Sequence, residues 1–516
     1  MTSGVISAAP SETHRGFITV AVMLATVMQV LDTTIVNVAL PHMQGNLNAT
    51  QDQISWVLTS YIIASAIMTP PTGWLSNRLG RKRLFLISVA AFTFVSMLCG
   101  LAMTLEEMVV FRILQGLFGA ALVPLSQAVL LDAYPKEKHG SAMALWGMGL
   151  MVGPILGPTL GAYLTEYYNW RWVFYINLPV GIITLFLIFS FVHETEKDRS
   201  RPFDIFGFFM LSIGIGFLQL MLDRGQQNDW FSSSDVVMAA ILAGSGFYFY
   251  VAHALTTSHP FIDPHLLRDR NFVTGLFFIF VVGIILLATL AIVPPLLQNL
   301  LGYPVMTIGL VLAPRGAGTM FAMFLVGRLV NRVDARWLIF SGLILTSFSL
   351  QQMATFNLDV TQSMIVWTGV VQGVGLGLIF VPLSTIAFAT LEPRYRTEAS
   401  SIFSLVRNMG SSIGISVVVA LLGFSIQTNH AELAEQVNHF NPVFQGANVS
   451  SVWNLTSLSG LLAINGEINR QAAMIAYIND FKFMMFVSLS AIPLILLLRN
   501  PKKIAQPSLK PVAVAD

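Results

Sequence analysis

Fourteen apolar runs, each close to the length that crosses a bilayer, punctuate the 516 residues. They cover 17–40, 54–75, 84–103, 108–131, 142–164, 172–192, 205–222, 236–255, 272–297, 308–330, 337–356, 364–388, 402–426 and 483–498. About 20 apolar residues in a helix match the hydrocarbon thickness. Lipid offers no partner to a free backbone N–H or C=O, so each run must close its own hydrogen bonds as a helix. Only 10% of the residues are charged, against about 25% in soluble domains. The expected fold is an all-α integral membrane protein. The first run lacks a small-residue cleavage site and is followed by many others, so it is expected to stay as a membrane anchor. Cys99 is the only cysteine, which excludes an intramolecular disulfide and a zinc cluster.

Lys and Arg set the orientation. With the N-terminus inside, the termini and alternate loops hold 21 of the 28 basic residues. These are Arg15; Arg78, Arg81, Lys82 and Arg83; Lys136 and Lys138; Lys197, Arg199 and Arg201; Arg268 and Arg270; Arg328, Arg332 and Arg336; Arg394 and Arg396; and Arg499, Lys502, Lys503 and Lys510. The other side receives Arg171, Arg224, Arg470 and Lys482, while Arg112, Arg315 and Arg407 fall within spans. This bias fits an even number of spans with both termini cytoplasmic.

The chain also echoes itself. GWLSNRLGRKR (73–83) follows the second run and GRLVNRVDARW (327–337) follows the tenth, at an offset of 254. QGLFGAALVPLS begins at Gln115 and QGVGLGLIFVPLS at Gln372, with one residue inserted. Two echoes in register indicate a duplicated unit of six helices, the arrangement of the major facilitator fold. The expected division is a cytoplasmic N-terminus (1–16), a six-helix half (17–192), two inserted helices (205–256), a second six-helix half (272–498) and a cytoplasmic tail (499–516). The second half includes a long extracytoplasmic loop (427–482) with an amphipathic stretch near 455–464. That loop is either a plain hairpin or a docking surface for a partner.

Asp32 is the only ionisable residue of the first run. A carboxylate at mid-bilayer costs about 2.5–3.5 kcal/mol on insertion scales, and such residues mark ion or proton paths. Burial and neighbouring charge move a carboxyl pKa in opposite senses. A site whose hydration alternates between membrane faces can therefore load a proton on one side and release it on the other. The alternative is a carboxylate neutralised by a structural ion pair. Arg112, in the fourth run, keeps its charge at any relevant pH. It either tunes a nearby carboxylate or ties down backbone carbonyls. In the fifth run Gly149, Gly153, Gly157 and Gly161 recur at four-residue spacing, which permits close helix approach. Pro154 and Pro158 remove backbone donors from the same helix and bend it. Arg315 and Arg407 lack a sequence-local acid; they line a cavity, favour anionic or zwitterionic substrates, or hold carbonyls. Asn37, Trp56, Tyr61, Gln115, Gln127, Trp146 and Gln372 are polar or amphipathic residues of core helices, facing either a central cavity or their neighbours.

A resemblance now becomes specific. LDTTIVNVALP (31–41) resembles the first-helix motif of fourteen-span drug:proton antiporters. GWLSNRLGRKR resembles the loop motif of the major facilitator superfamily, with Asn77 where the usual residue is Asp. RILQGLFGAA (112–121) and GLMVGPILGPTLG (149–161) resemble that family's fourth- and fifth-helix motifs, and WRWVFYINLP (170–179) and MLDRG (221–225) extend the likeness. From about 17 to 498 the chain is similar to the EmrB/QacA-type drug:proton antiporters. The resemblance implies proton coupling through Asp32 and Arg112. It implies a cytoplasmic latch built on Gly73, Asn77, Arg78, Gly80 and Arg81, which with Asn77 uncharged rests on hydrogen bonds and helix dipoles. It also implies a kinked fifth helix that seals the two halves and limits proton leak.

The expected function is proton-coupled export of hydrophobic or amphipathic compounds from the inner membrane of a bacterium, with the halves rocking and the inserted helices peripheral. No cofactor is expected: there is no phosphate-binding loop for ATP, and the proton gradient supplies the energy. An EmrA-type periplasmic adaptor and a TolC-type outer-membrane channel are the implied partners. The rival readings are a proton/solute symporter of the same fold and a membrane enzyme or sensor. The spans carry no cluster of nucleophile, base and metal ligands, which argues against catalysis.

Overall fold

A computed structural model describes residues 12–198, 201–330, 332–438, 455 and 457–499, all helix, turn or loop without a strand. Arg199, Asn331, Lys502, Lys503 and Lys510 lie outside the described residues. Among them twelve helices are long and apolar enough to cross a membrane. The two remaining runs are also helical. In chain order the spans are α1 (Glu12–Asn46), α2 (Trp56–Met68 then Thr72–Leu79), α3 (Arg81–Leu101), α4 (Leu105–Gly119 then Leu122–Ala133), α5 (His139–Tyr167), α6 (Trp172–Tyr175 then Asn177–Phe191) and α7 (Ile205–Arg224). They continue as α8 (Ser234–Thr256), α9 (Arg270–Pro295), α10 (Val305–Leu329), α11 (Ala335–Met353), α12 (Gln362–Ala389), α13 (Arg396–Glu435) and α14 (Leu458–Ser490).

Local chemistry sets the ends. The second run breaks at Pro70 and Pro71, which bring no N–H to continue the helix. Asp204, Asp269 and Ser457 cap α7, α9 and α14 by accepting the N–H of Gly207, Phe272 and Gly460. Two boundaries differ from the sequence expectation. Helix α13 runs to Glu435 and α14 begins at Leu458, so most of the described part of the supposed long loop is helix. The amphipathic stretch near 455–464 is largely the start of α14.

The pairings repeat along the chain. Helix α1 packs on α4, α5 and α6, and α9 packs on α12, α13 and α14; α4 packs on α2 and α3, and α12 on α10 and α11. The two sets of six meet along α5 with α10 and α12, and along α2 and α4 with α13. Of the inserted pair, α7 packs against both α2 and α13. It is not peripheral, as the sequence suggested. Ser416 on α13 donates to Leu222 O at 2.6 Å, Thr59 on α2 hydrogen-bonds Asp223, and the Arg224 guanidinium lies 4.4 Å from the Trp56 ring centre.

Candidate functional site

Asp32 is fully buried in the middle of α1, and glycines on α5 explain how α1 holds it there. A Cβ on Gly153 would stand 2.6 Å from Val30 Cγ1 and 2.9 Å from Leu31 N; one on Gly161, 2.9 Å from Ile35 O; one on Gly149, 3.3 Å from Met23 Cε. Gly157 faces Thr34, whose Oγ1 donates to Gly153 O at 3.1 Å. The stripe lets two backbones touch and so fixes the rotation of α1, turning Asp32 away from α5 toward α4 and α6. This corrects the expectation that the stripe seals the halves. The contact between the halves uses another face of α5, where Gly140 meets Val330, Ala144 meets Gly327 and Gly147 meets Met323. Helix α5 continues unbroken through Pro154 and Pro158.

Both carboxylate oxygens of Asp32 are engaged. Oδ2 accepts Arg112 Nη1 at 2.6 Å, and Oδ1 accepts Gln115 Nε2 at 2.9 Å and Asn177 Nδ2 at 3.2 Å. Arg112 and Gln115 lie one turn apart on α4, so both reach α1 from the same face. Arg112 Nη1 also donates to Gln115 Oε1 at 2.7 Å, and Nε donates to Val57 O at 3.0 Å. Among the described residues its Nη2 has no hydrogen-bond partner, and the guanidinium lies 4.2 Å from the Tyr61 ring centre. A desolvated cation over an aromatic face gains about 2 kcal/mol. Cys99 Sγ donates to Gln115 Oε1 at 3.4 Å, and Asn177 Nδ2 donates to Ser96 Oγ at 3.0 Å. The result is a buried acid–base pair, shut off from solvent, in a polar network that spans five helices.

The other sequence candidates fall into different places. Gln115 and Tyr61, taken as cavity residues, belong to this network. Gln127 is buried where the halves meet and accepts a hydrogen bond from Ser400 of α13. Trp146 is buried and stacks on Phe380 of α12 at 6.0 Å. Gln372 is buried and donates to Thr289 Oγ1 at 3.2 Å. Trp56 holds Arg224. Asn37 is exposed and shares one face of α1 with Gln29 and Thr33, at four-residue spacing. Arg315 is 6% exposed and donates weakly to Leu286 O at 3.4 Å; Arg407 is half-buried. Sequence reasoning missed Asn177, Ser96 and Cys99. Asn177 stood inside WRWVFYINLP, the only Asn in its apolar run.

On the face of the basic loops a second cluster ties the halves together. Arg81 pairs with Asp132 at the end of α4, and Arg396 of α13 donates to the other Asp132 oxygen at 2.6 Å. Arg81 Nη2 also donates to Pro393 O at 2.8 Å. Gly73 is required because a Cβ there would lie 2.6 Å from Glu398 Cα. Gly80 takes φ +91, a conformation glycine adopts freely, and just beyond it Glu194 accepts the Lys82 and Arg83 N–H groups at the start of α3. Position 77 contributes its backbone oxygen to Asp198 N at 2.9 Å, and Arg78 lies 5.1 Å from the Trp74 ring centre. The acid of this cluster is Asp132 rather than residue 77, and Glu194 receives the free N–H groups at the start of α3. Arg201 joins from the α6–α7 linker, 3.2 Å from Glu398 and 3.8 Å from Asp263. Partial burial pushes the Asp263 carboxyl up, but hydrogen bonds from His265 and the Arg201 charge outweigh it and hold the group below its ordinary value.

Two bundles of six helices, joined at a latched face and enclosing a charge in mid-membrane, define a multi-pass membrane transporter. The sequence matches the Major Facilitator Superfamily family model over residues 22–425. It is 38% identical to the multidrug export protein EmrB of Escherichia coli (strain K12) over 427 residues, 82% of this chain and 83% of that protein. It is 34% identical to the fatty acid resistance protein FarB of Neisseria gonorrhoeae over 487 residues, 94% of this chain and 96% of that protein. Among solved structures, the proton:xylose symporter XylE superposes with a TM-score of 0.59 at 13% identity, covering 94% of this chain and 97% of that one. The chain belongs to the major facilitator superfamily and, within it, to the family of EmrB-type transporters.

Proposed function

We propose that the protein is a proton-coupled multidrug exporter of hydrophobic and amphipathic compounds. The relatives EmrB and FarB support the export reading. The observation that carries the coupling is the buried contact of Asp32 with Arg112, 2.6 Å long and fully enclosed. Protonating Asp32 removes the counter-charge of a buried guanidinium. Leaving one member of such a pair uncompensated costs about 3–5 kcal/mol, enough to shift a two-state equilibrium by a hundred-fold or more. The proton thus acts as a conformational ligand. Bound from the outer side, it weakens substrate binding and favours the return to the inward-facing state; its release to the cytoplasm restores binding.

The basic face is cytoplasmic by the Lys and Arg rule, and the latch of Arg81, Asp132 and Arg396 closes it. The polar stripe of Gln29, Thr33 and Asn37 leads from the charged pair toward the opposite face. Because α7 touches α2 and α13 together, rocking the halves must slide or break those contacts. The test is Asp32→Asn in proteoliposomes, reading drug efflux and drug-driven proton release together. Both are expected to vanish, with substrate binding weakened as in the protonated state that Asn mimics. Undiminished coupled transport refutes the reading, and proton movement in the same direction as substrate makes the protein a symporter.

The outer ends of α13 and α14 support a partner role. Helix α13 has 40 residues, about 60 Å of helix against about 30 Å of hydrocarbon. His430 and Asn465 join the two helices at 2.9 Å near that end. We assign this hairpin as the docking surface for an EmrA-type periplasmic adaptor that continues into a TolC-type outer-membrane channel. Replacing residues 430–470 by a short linker is expected to abolish co-purification with such an adaptor while leaving proteoliposome transport intact. Retained co-purification overturns the assignment.

A further inference from the structure

Asp480 is a buried carboxylate that the coupling scheme above does not use. It sits in α14, in a segment the hydropathy pattern left outside the membrane, yet it is 1% exposed. Among the described residues its Oδ2 has no hydrogen-bond partner. Arg112 gives Asp32 a cation; among the described residues nothing does so for Asp480. Helices α9, α11 and α13 pack around α14. Helices α9 and α11 carry a single charge each, Arg270 and Arg336, both in the first turn at the opposite end. On α13 the outer titratable groups are His430, held by Asn465, with Glu432 and Glu435 beyond it; Arg407 lies deeper. The segment after α11, which carries Asp359, places Phe356 against Phe481 at 6.1 Å. On α14 itself Lys482 is exposed, and Tyr477 is the titratable neighbour that interacts with Asp480.

The duplication shows what kind of place this is. Asn177 of α6 reaches Asp32, and Met484 of α14 reaches Thr289, with Thr289 Oγ1 3.6 Å from its sulfur. Phe174 and Phe481 are both fully buried and stand at the same offset of 307 as Asn177 and Met484. By that register Asp480 occupies the position of Val173, a fully buried member of an apolar cluster. A carboxyl group in a valine's place, without a cation, is tolerated only as the neutral acid, since an isolated buried carboxylate is far too costly.

We propose that Asp480 is a second proton-binding carboxylate, one helical turn along α14 from Met484 at its contact with Thr289, and that it holds its proton while the basic face is latched. Opening and closing of the C-terminal half would then load and unload this proton, giving each half its own titrating site. The inference rests on the proton-coupled reading, and the experiment separates the two. Proton release on adding substrate to detergent-solubilised protein is measured with a pH-sensitive dye for wild type, Asp32→Asn, Asp480→Asn and Asp480→Glu. Asp480→Asn is expected to release one proton fewer per substrate than wild type, and Asp480→Glu to restore it. Infrared difference spectra of the Asp32→Asn protein are expected to keep a protonated-carboxyl band that Asp480→Asn removes. Thermal stability supplies a readout free of transport. The native state holds a proton that the unfolded state releases, so stability falls as pH rises, and this slope flattens in Asp480→Asn. An unchanged proton count, or the absence of the band and of any change in slope, overturns the proposal while leaving the role of Asp32 standing. If Asp32→Asn also leaves proton release unchanged, the coupling scheme itself fails.

Discussion

The two halves make the same contact with different chemistry. In the N-terminal half the Gln115 amide donates to Asp32, 83 residues away; in the C-terminal half the Gln372 amide donates to Thr289, again 83 residues away. The glycine after each glutamine is also matched. A Cβ on Gly116 would strike Tyr61 O, 2.5 Å away, and one on Gly373 would strike Arg315 O. Arg315 therefore stands where Tyr61 does. The position matching Arg112 is Gly369, whose Cβ would lie 3.5 Å from Arg315 Cβ. The cation has moved from the fourth helix of one unit to the second helix of the other, and the acid at its side is gone. Duplication preserved the helix-to-helix amide bond, which neutral groups satisfy as well as charged ones. The compensated pair belongs to one copy only; at the matching contact the other copy carries the arginine without, among the described residues, its acid.

The comparison breaks most sharply at Arg112. Arg112→Gln strands the Asp32 carboxylate, and a loss of about 3–5 kcal/mol is expected, seen as a large drop in detergent-solubilised thermal stability. Adding Asp32→Asn to it should recover most of that loss, because both charges are then gone; a double variant no more stable than the single one would show that the two residues act independently. Arg315 is the next largest contrast. Among the described residues it has no acidic partner, and its substitution tests whether it receives a substrate's anionic group. Arg315→Gln is expected to reduce export of anionic amphiphiles about ten-fold or more, the scale of one charged hydrogen bond, while neutral substrates are spared. Equal losses for both classes would make Arg315 a packing residue. The mildest change is Thr289→Val. It removes the neutral hydrogen bond from Gln372 together with the hydroxyl's own bond to Ile285 O, for about 1 kcal/mol each, with proton coupling intact. Loss of coupling there would mean that the C-terminal contact does more than hold helices together.

Much of this was legible beforehand. The apolar runs located the spans because membrane helices obey a length rule that needs no tertiary information. Asp32 and Arg112 were legible because charge in such runs is rare. Asn177 was not, since one amide in a span has no distinctive pattern until its helix is rotated into place. Asp132 escaped because it closes the fourth run and reads as a loop residue; only the meeting of α3, α4 and α13 makes it the shared acid of Arg81 and Arg396. Asp480 escaped because Asn479, Asp480 and Lys482 lower the local hydropathy, so the run was started at 483.

By itself the sequence determined that the chain is helical and crosses a membrane, that six helices were duplicated, and which few ionisable groups sit within the lipid. Tertiary structure alone decided which of them face one another. Each residue turns a helix by about 100°, so the face a carboxylate presents depends on how its helix is rotated against its neighbours. That rotation is set here by glycines on α5 more than 100 residues from Asp32, at a contact that no local pattern around Asp32 encodes.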